Sequence, residues 1–248
     1  MGKVYLVGAG PGDPELITLK GLKVLEKADI VIYDRLIDEM ILKFAVNAKE
    51  LICVGKKMGE SWKQEEINKL MIEKAQKYDK VVRLKNGDPM LFARGGEECE
   101  VLKQAGIRYE IIPGVSSALA APAYAGIPIT HRDYSSSVAI VTGHRREGFN
   151  ESGEMEYLEK IFKSVDTVIV LMGVSNFEKI VEAALKTGLH RETPVAIIEN
   201  ATLRDQRVFI SELDNIIEIA RENNVKAPAV LVFGRVASLG RRLKWLEE

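Results

Sequence analysis

Short apolar runs rich in valine and isoleucine alternate along the chain with stretches whose apolar residues recur at helical spacing. Strands buried in a parallel sheet read as continuous apolar runs, and a helix that packs on a sheet is apolar along one stripe. The alternation therefore predicts strand–helix–strand units and an α/β fold.

The first half of the chain contains five predicted strands. Thr18 is the predicted N-cap of the first helix, and Gly106 is predicted to end the third. The strands are residues 4–7, 30–33, 51–54, 81–84 and 109–112, and the helices are residues 19–27, 65–78 and 97–104.

Pro113 and Gly114 interrupt this pattern. After them the predicted strands are residues 137–142, 167–172, 194–199, 207–210 and 229–233, with helices at 116–125, 155–162, 176–186 and 213–222. The third and fourth of these strands are too close in sequence for a crossover helix, so the pair is predicted to be antiparallel and the second sheet mixed. We expect two α/β/α domains, residues 1–114 with a mainly parallel sheet and residues 115–248 with a mixed one.

The composition narrows the function classes. With 35 basic and 36 acidic residues the net charge is −1, which argues against a general nucleic-acid binder. The cysteines and histidines lack metal-ligand spacing, so no metal is predicted. No apolar run approaches the ~20 residues of a membrane span. We expect a cytoplasmic protein without a membrane or nucleic-acid partner.

A glycine-rich turn, Gly8-Ala9-Gly10-Pro11-Gly12-Asp13-Pro14, follows the first predicted strand. Such turns bring the backbone close to a nucleotide-like ligand. The third glycine of the dinucleotide fingerprint would fall on Asp13, and Pro11 has no N–H to offer a phosphate oxygen. The loop therefore suits a ligand that need not carry phosphates, such as S-adenosylmethionine.

Polar residues follow most of the other predicted strands, where ligands of open α/β sheets bind. Asp34 is compatible with a ribose-binding acid, a general base or a helix cap, and Asp88 with a ligand contact or a turn. Lys56 and Lys57 suit either a cleft rim or a solvated surface. The segment 94–98 could equally be a plain helix start, with acidic residues favoured by the dipole.

Several of these segments resemble the tetrapyrrole methylases, which use S-adenosylmethionine. The first is VGAGPGDPELITLKG (7–21). The others are YDRL (33–36), VGKK (54–57), RLKNGDP (83–89), RGGEE (94–98) and AYAGIPITHRDY (123–134), and they are similar to the branch of the family that acts on uroporphyrinogen III.

The resemblance implies a homodimer and an active site in a cleft between the two domains. The implied activity is C-methylation of two pyrrole rings of uroporphyrinogen III to give precorrin-2, on the way to sirohaem and cobalamin, with S-adenosylhomocysteine as the second product. Asp34 and Lys56 would serve proton transfer. The implied cofactor contacts are Gly10, Pro11, Asn86, Gly87, Asp88, Leu91, Ser116, Ser117, Met172 and Ala201. Carboxylates of the substrate would meet Arg35, Lys57, Arg94, Arg132, Arg145 and Arg146, all on predicted cleft loops.

Three departures from the family pattern concern the cofactor contacts. Asn86 and Ala201 stand where glycine is usual, and Ser116-Ser117 replaces a threonine-containing pair. Asparagine tolerates a positive φ better than most residues, so the loop shape at Asn86 is expected to survive. A methylase of a later precorrin and a nucleotide-binding module without methylase activity are the alternatives.

Overall fold

The computed structural model describes residues 1–55, 63–143 and 151–246. The chain forms two compact units, Met1–Ser116 and Ser117–Glu248. Each unit is an α/β domain, as predicted. The predicted boundary at residue 114 and the predicted position of the active site between the domains stay predictions.

The first unit is built on an all-parallel sheet in the order β3-β2-β4-β1-β5. Its strands are β1 (Lys3–Gly8), β2 (Ile30–Tyr33), β3 (Glu50–Cys53), β4 (Lys80–Lys85) and β5 (Arg108–Ile112). Its helices are α1 (Leu19–Leu25), α2 (Glu39–Leu42), α3 (Gln64–Lys77) and α4 (Gly95–Gln104). A short 3₁₀ helix, Pro14–Leu16, precedes α1.

Two apolar clusters cover the two faces of this sheet. One contains Val4, Leu6 and Val81 with residues of α3 and α4, and the other contains Val7 and Leu84 with residues of α1 and α2. Successive strand residues point to opposite faces, which is why β1, β2, β4 and β5 each contribute to both clusters. β1 and β4 are central, and their carboxyl ends lie side by side, with Gly8 opposite Lys85.

The second unit has a mixed sheet in the order β6-β7-β10-β8-β9. Among the described strands of this sheet, only β6 and β7 pair in parallel, and the short connection from β8 to β9 makes an antiparallel pair, as predicted. The strands are β6 (Val138–Thr142), β7 (Thr167–Leu171), β8 (Pro194–Glu199), β9 (Arg207–Glu212) and β10 (Ala229–Phe233). The helices are α5 (Ser117–Tyr124), α6 (Glu151–Ser164), α7 (Phe177–Lys186), α8 (Ile216–Glu222) and α9 (Gly240–Leu243).

All ten predicted strands and all seven predicted helices are present, with ends shifted by a few residues. Thr18 caps α1 through a hydrogen bond from the Gly21 N–H, and Gly106 follows α4 with a φ of +69°. The four-residue helices α2 and α9 were not predicted, because one turn carries too little apolar periodicity. After α9, the Trp245 indole N–H donates to the Ala123 carbonyl oxygen.

No helix in the described part of the chain is long and apolar enough to cross a membrane.

Asp166 fastens the start of the parallel pair β6–β7. Its Oδ2 accepts from the backbone N–H groups of Ser136 and Ser137 at 2.8 and 3.1 Å and from both serine hydroxyls at 3.0 Å. These bonds, the Ser136 N–H first among them, lower the pKa of the Asp166 carboxyl below its ordinary value of 3.8. The charged form is therefore the one that stabilises the fold.

We expect Asp166→Asn to lower the free energy of unfolding by about 1 kcal/mol at neutral pH, because the amide cannot replace a charged acceptor. Asp214→Asn, which removes one exposed ion pair with Arg191, is the matched control and should cost at most about 0.5 kcal/mol. The Asp166 contribution is present above pH 3.8 and is lost as the pH falls through the lower, folded-state pKa. Urea unfolding at several pH values measures it. A difference from wild type that stays constant into acid would contradict this account.

Candidate active site

The glycine-rich loop after β1 is pinned to the loop after β4 by two backbone hydrogen bonds. Gly87 N–H donates to the Gly10 oxygen at 2.7 Å, and Gly10 N–H donates to the Gly87 oxygen at 3.3 Å. Both glycines have positive φ values, +85° for Gly10 and +66° for Gly87. Two predicted cofactor-contact residues are therefore neighbours at the carboxyl edge of the sheet.

A third loop, after β5, meets the same point through Gly114. A Cβ on Gly114 would lie 2.3 Å from the Gly87 oxygen and 2.7 Å from the Gly8 Cα. Side chains do not fit at such distances, so the three loops close on one another only because glycine stands there. The close approach fixes the backbone of the predicted cofactor loops relative to one another.

Asp88 joins these loops with its carboxylate. Oδ1 accepts from the Met90 N–H at 2.8 Å, and Oδ2 accepts from the Gly114 N–H at 3.0 Å. The turn interpretation of Asp88 is thus correct for one oxygen, while the other ties two loops together. A ligand contact by Asp88 stays a prediction.

The loop that follows Asp88 has an unusual backbone. Phe92 and Arg94 both have left-handed φ values, +50° and +58°, which are costly for residues with side chains. Arg94 contacts the Glu97 carboxylate on the first turn of α4, with Nη2 2.6 Å from Oε2. The segment 94–98 is therefore a helix start, as the plain interpretation predicted, and it also holds a guanidinium in an exposed position.

Asp34, at the carboxyl end of β2, forms an ion pair with Arg83 of the adjacent strand β4, with Oδ1 2.5 Å from Nη2. Arg83 is buried, while about a third (34%) of the Asp34 side chain is exposed. The helix-cap alternative for Asp34 is wrong, because Asp38 caps α2 by accepting from the Met40 N–H. The buried Arg83 therefore holds one side of the Asp34 carboxylate, and the rest of this side chain reaches solvent.

Arg83 is the first member of a buried polar cluster, to which we give the name β4 charge cluster. It consists of Asp34, Arg83, Lys85, Glu98 and Gln64. Glu98 on α4 is fully buried, and its Oε1 accepts from Arg83 Nε at 3.1 Å and from Gln64 Nε2 at 3.2 Å. Both Glu98 oxygens lie 2.9 Å from Lys85 Nζ. Two positive and two negative charges therefore balance.

Burial alone lowers the pKa of Arg83, but the carboxylates of Asp34 and Glu98 outweigh it, so the pKa is raised. The pKa of Lys85 is lowered from 10.5, first by burial and then by the positive charge of Arg83, despite its contact with Glu98. Arg83 is thus firmly cationic, and Lys85 is the member of the cluster for which burial is costly.

Sequence reasoning missed Arg83, Lys85 and Glu98 as site residues. A signal was present: Val81 and Val82 are apolar residues of a central strand, yet charged residues follow at positions 83 and 85. Buried parallel strands are normally apolar throughout. Charges at positions 83 and 85 therefore require a partner on the covering helices.

In the second unit, the predicted cofactor contacts Met172 and Ala201 also lie at or next to residues with a positive φ. Met172 directly follows β7 with a φ of +55° and an exposed side chain. The next residue, Gly173, packs against Gly143 at the end of β6, whose carbonyl oxygen accepts from Asn176 Nδ2 at 2.7 Å. The backbone next to Met172 is therefore closely packed at the carboxyl ends of two parallel strands.

Ala201 lies between two left-handed residues, Asn200 (φ +48°) and Thr202 (φ +70°), in the turn after β8. Ala201 itself and Asn86 do not have positive φ values. The expectation that Asn86 must tolerate one is therefore wrong, because the following Gly87 takes the left-handed conformation. The asparagine and the alanine that stand in place of glycine at positions 86 and 201 are therefore compatible with the local backbone.

The remaining predicted residues are distributed as follows. Pro11 and Leu91 are half-buried, Arg35 is exposed, and Ser116 is buried at the end of the first unit. Ser117 begins α5, and Arg132 is exposed in the second unit. Lys56, Lys57, Arg145 and Arg146 lie outside the described residues. In the first unit, the structure brings Gly10, Gly87, Asp88 and Gly114 together.

The chain has two α/β domains, and closely packed loops lie at the carboxyl ends of their strands. This arrangement is typical of enzymes and binding proteins that act on small molecules. The family described as Tetrapyrrole (Corrin/Porphyrin) Methylases matches residues 3–217. The chain belongs to this family.

Relatives match over nearly the full length. A protein from Methanocaldococcus jannaschii named Uroporphyrinogen-III C-methyltransferase is 50% identical over 96% of this chain and 98% of its own length. A protein of the same name from Priestia megaterium is 46% identical over 96% of this chain and 99% of its own length.

Solved structures agree in fold. The uroporphyrin-III C-methyl transferase from Thermus thermophilus complexed with S-adenyl homocysteine has a TM-score of 0.81 and 39% identity, over 96% of this chain and all of that chain. A cobalt precorrin-4 methyltransferase has a TM-score of 0.82 and 27% identity, over 95% of both chains. The fold prediction is thereby confirmed.

We expect Gly114→Ala to abolish or strongly weaken S-adenosylhomocysteine binding, because a methyl group 2.3 Å from the Gly87 oxygen must push the loops apart. Gly96→Ala is the matched control: it has open space around it, lies inside α4, and should stabilise the protein slightly. Isothermal titration calorimetry measures the affinity of both variants for S-adenosylhomocysteine. Unchanged affinity in Gly114→Ala would show that the close approach does not shape the cofactor loops.

We expect Glu98→Gln to lower the free energy of unfolding by about 3 kcal/mol or more, because it leaves two buried cations with one carboxylate partner fewer. Glu97→Gln on the same turn, which breaks only the exposed pair with Arg94, should cost less than about 1 kcal/mol. Chemical denaturation measures the difference. Equal small losses would mean that the β4 charge cluster is not buried and paired as described.

Proposed function

We propose that the protein transfers methyl groups from S-adenosylmethionine to carbon atoms of two pyrrole rings of uroporphyrinogen III, giving precorrin-2. The observation that carries this proposal is the near full-length match to relatives that bear the name Uroporphyrinogen-III C-methyltransferase. The precorrin-4 enzyme is similar in fold at a much lower identity, which favours uroporphyrinogen III over a later precorrin.

The first loop suits a nucleoside without phosphates. Asp13 accepts from the Glu15 N–H with Oδ1 at 2.9 Å and so caps the three-residue 3₁₀ helix that follows the loop. A carboxylate therefore already occupies the helix start where a dinucleotide fold would bind pyrophosphate. This charge arrangement supports S-adenosylmethionine and speaks against a dinucleotide module.

The bound cofactor would supply an activated methyl group for in-line transfer to a nucleophilic ring carbon. The residues of this chain would contribute mainly by orientation, which is worth roughly 7–11 kcal/mol in favourable systems. Gly10 and Gly87 would supply closely packed backbone to the cofactor. We assign the cofactor contacts to the predicted residues, which are Gly10, Pro11, Asn86, Gly87, Asp88, Leu91, Ser116, Ser117, Met172 and Ala201. Exposed arginines would bind the carboxylates of the macrocycle. Of the predicted arginines, Arg35, Arg94 and Arg132 are described and exposed.

Asp34 is assigned the proton-transfer step. Methylation of a pyrrole carbon leaves a cationic ring that must lose a proton. A carboxylate at the strand end stabilises that cation and accepts the proton, and Asp34 has the required partial exposure. Lys56 is proposed as a second proton-transfer group on the strength of the family pattern.

A homodimer and a cytoplasmic location complete the proposal. Light scattering at micromolar concentration tests the dimer, which predicts twice the mass of the 27.6 kDa chain.

The direct test of the function is anaerobic incubation with uroporphyrinogen III and labelled S-adenosylmethionine. The proposal expects a product heavier by two methyl groups. No label in uroporphyrinogen III, with label incorporated when a later precorrin is supplied instead, would contradict it.

We expect Asp34→Asn to lower kcat by roughly 100-fold, the size of a lost general-base contribution, while the Kd for S-adenosylhomocysteine stays within about threefold. Asp38→Asn, which lies in the same connection and still caps α2, is the control and should keep full activity. Steady-state kinetics and calorimetry separate the two effects. Full turnover in Asp34→Asn would remove Asp34 from the mechanism.

A further inference from the structure

The arrangement of Arg83 is unusually constrained for a residue that contacts no ligand in the proposed function. Nη2 contacts Asp34, Nε contacts Glu98, and Nη1 lies 3.3 Å from the Leu84 oxygen and 3.5 Å from the Ile32 oxygen. All three guanidinium nitrogens therefore have acceptors, which lie on β2 or just after it, on β4 itself, or on α4. The plane of the guanidinium is fixed, and with it the position of the one carboxylate that reaches solvent.

Glu98 anchors the Arg83 guanidinium, and Lys85 determines which Glu98 oxygen is available to Arg83. Among the described residues, Glu98 Oε2 contacts Lys85 Nζ alone, whereas Oε1 accepts from Arg83 Nε, Lys85 Nζ and Gln64 Nε2. Because Lys85 takes Oε2, Glu98 does not bind Arg83 through both of its oxygens. Arg83 Nη2 is thus left for Asp34.

A buried ion network is weak evidence for stability, since well-packed apolar residues often serve as well. The exposed end of this network is Asp34, the residue to which the proposed function assigns proton transfer. A catalytic group works only when its geometry is held closely, and a displacement of about 1 Å can cost roughly 100-fold in rate. These two points give the network a role in placing Asp34.

We propose that Arg83 is a positioning residue that holds the Asp34 carboxylate in its working geometry, with Glu98 and Lys85 as its anchor. The inference rests on the proposed function of Asp34. Arginine is required because one planar group must meet two carboxylates at once, through Nε and Nη2. A lysine keeps the charge but offers a single nitrogen, so it cannot span Asp34 and Glu98.

The test is a double-mutant cycle of Arg83→Lys and Asp34→Asn on methyl transfer to uroporphyrinogen III. We expect Arg83→Lys to lower kcat by about tenfold or more in the wild-type background, given the cost of misplacing a catalytic group. In the Asp34→Asn background the same substitution should change kcat by less than about twofold, because there is no carboxylate left to position. The Kd for S-adenosylhomocysteine should stay unchanged in both.

Lys80→Arg, at the exposed start of the same strand, is the control for a lysine–arginine exchange and should leave kcat unchanged. Glu98→Asp serves as a second variant should Arg83→Lys fail to fold: it keeps the charge, moves the anchor, and is expected to give the same non-additive pattern. Near-UV circular dichroism reports folding for each protein.

Equal losses from Arg83→Lys in both backgrounds, or no loss in either, would overturn the inference and leave the proposed function standing. A wild-type protein that does not methylate uroporphyrinogen III would overturn the proposed function and, with it, this inference. A loss confined to the background that retains Asp34 supports the positioning role.

Discussion

Two cations buried on a central strand impose the main constraint on the first domain. Arg83 and Lys85 share one buried face of β4. Burying a charge there destabilises the fold unless the charge has a partner, whereas an apolar side chain carries no such penalty. Glu98 supplies that partner from α4, and Gln64 joins from α3. The requirement for these contacts therefore fixes how both helices lie on the sheet, and it also determines where Asp34 stands at the edge.

A second constraint acts at the same edge through steric exclusion. Gly8, Gly87 and Gly114 allow three loops to touch backbone to backbone, and Asp88 closes the arrangement with two hydrogen bonds. The charge cluster orders side chains below the edge, and the glycines order the backbone above it. Together they make a rigid rim from elements that are far apart in sequence, which suits a reaction in which alignment contributes most of the acceleration.

Much of the fold could be predicted because periodicity is a local property. Val4 to Val7 or Ala229 to Phe233 read as strands from their apolar runs alone, and the antiparallel β8–β9 pair followed from a short connection. One-turn helices such as Glu39–Leu42 escaped, since four residues show no repeat. The identity of Gly87, rather than Asn86, as the left-handed residue depends on the register of the loop, which composition does not reveal.

The site was only partly predictable for a related reason. Asp34 was recognisable because it follows a strand, but its ion pair with Arg83, which lies 49 positions away, was not. Arg83 and Glu98 became interpretable only once β4 and α4 were seen to face each other. Long-range pairing of this kind leaves a trace in the sequence only as a charge in an apolar place, a signal that should be weighed more heavily in central strands.

The central claim is that Asp34 acts on the substrate from a position set by Arg83. A crystal structure of the protein with S-adenosylhomocysteine and a bound porphyrinogen analogue examines it most directly. The account predicts Arg83 between Asp34 and Glu98, with the free Asp34 oxygen facing the methylated ring. An Asp34 carboxylate turned away from the macrocycle, or an Arg83 side chain that binds the ligand instead of Asp34, would contradict it.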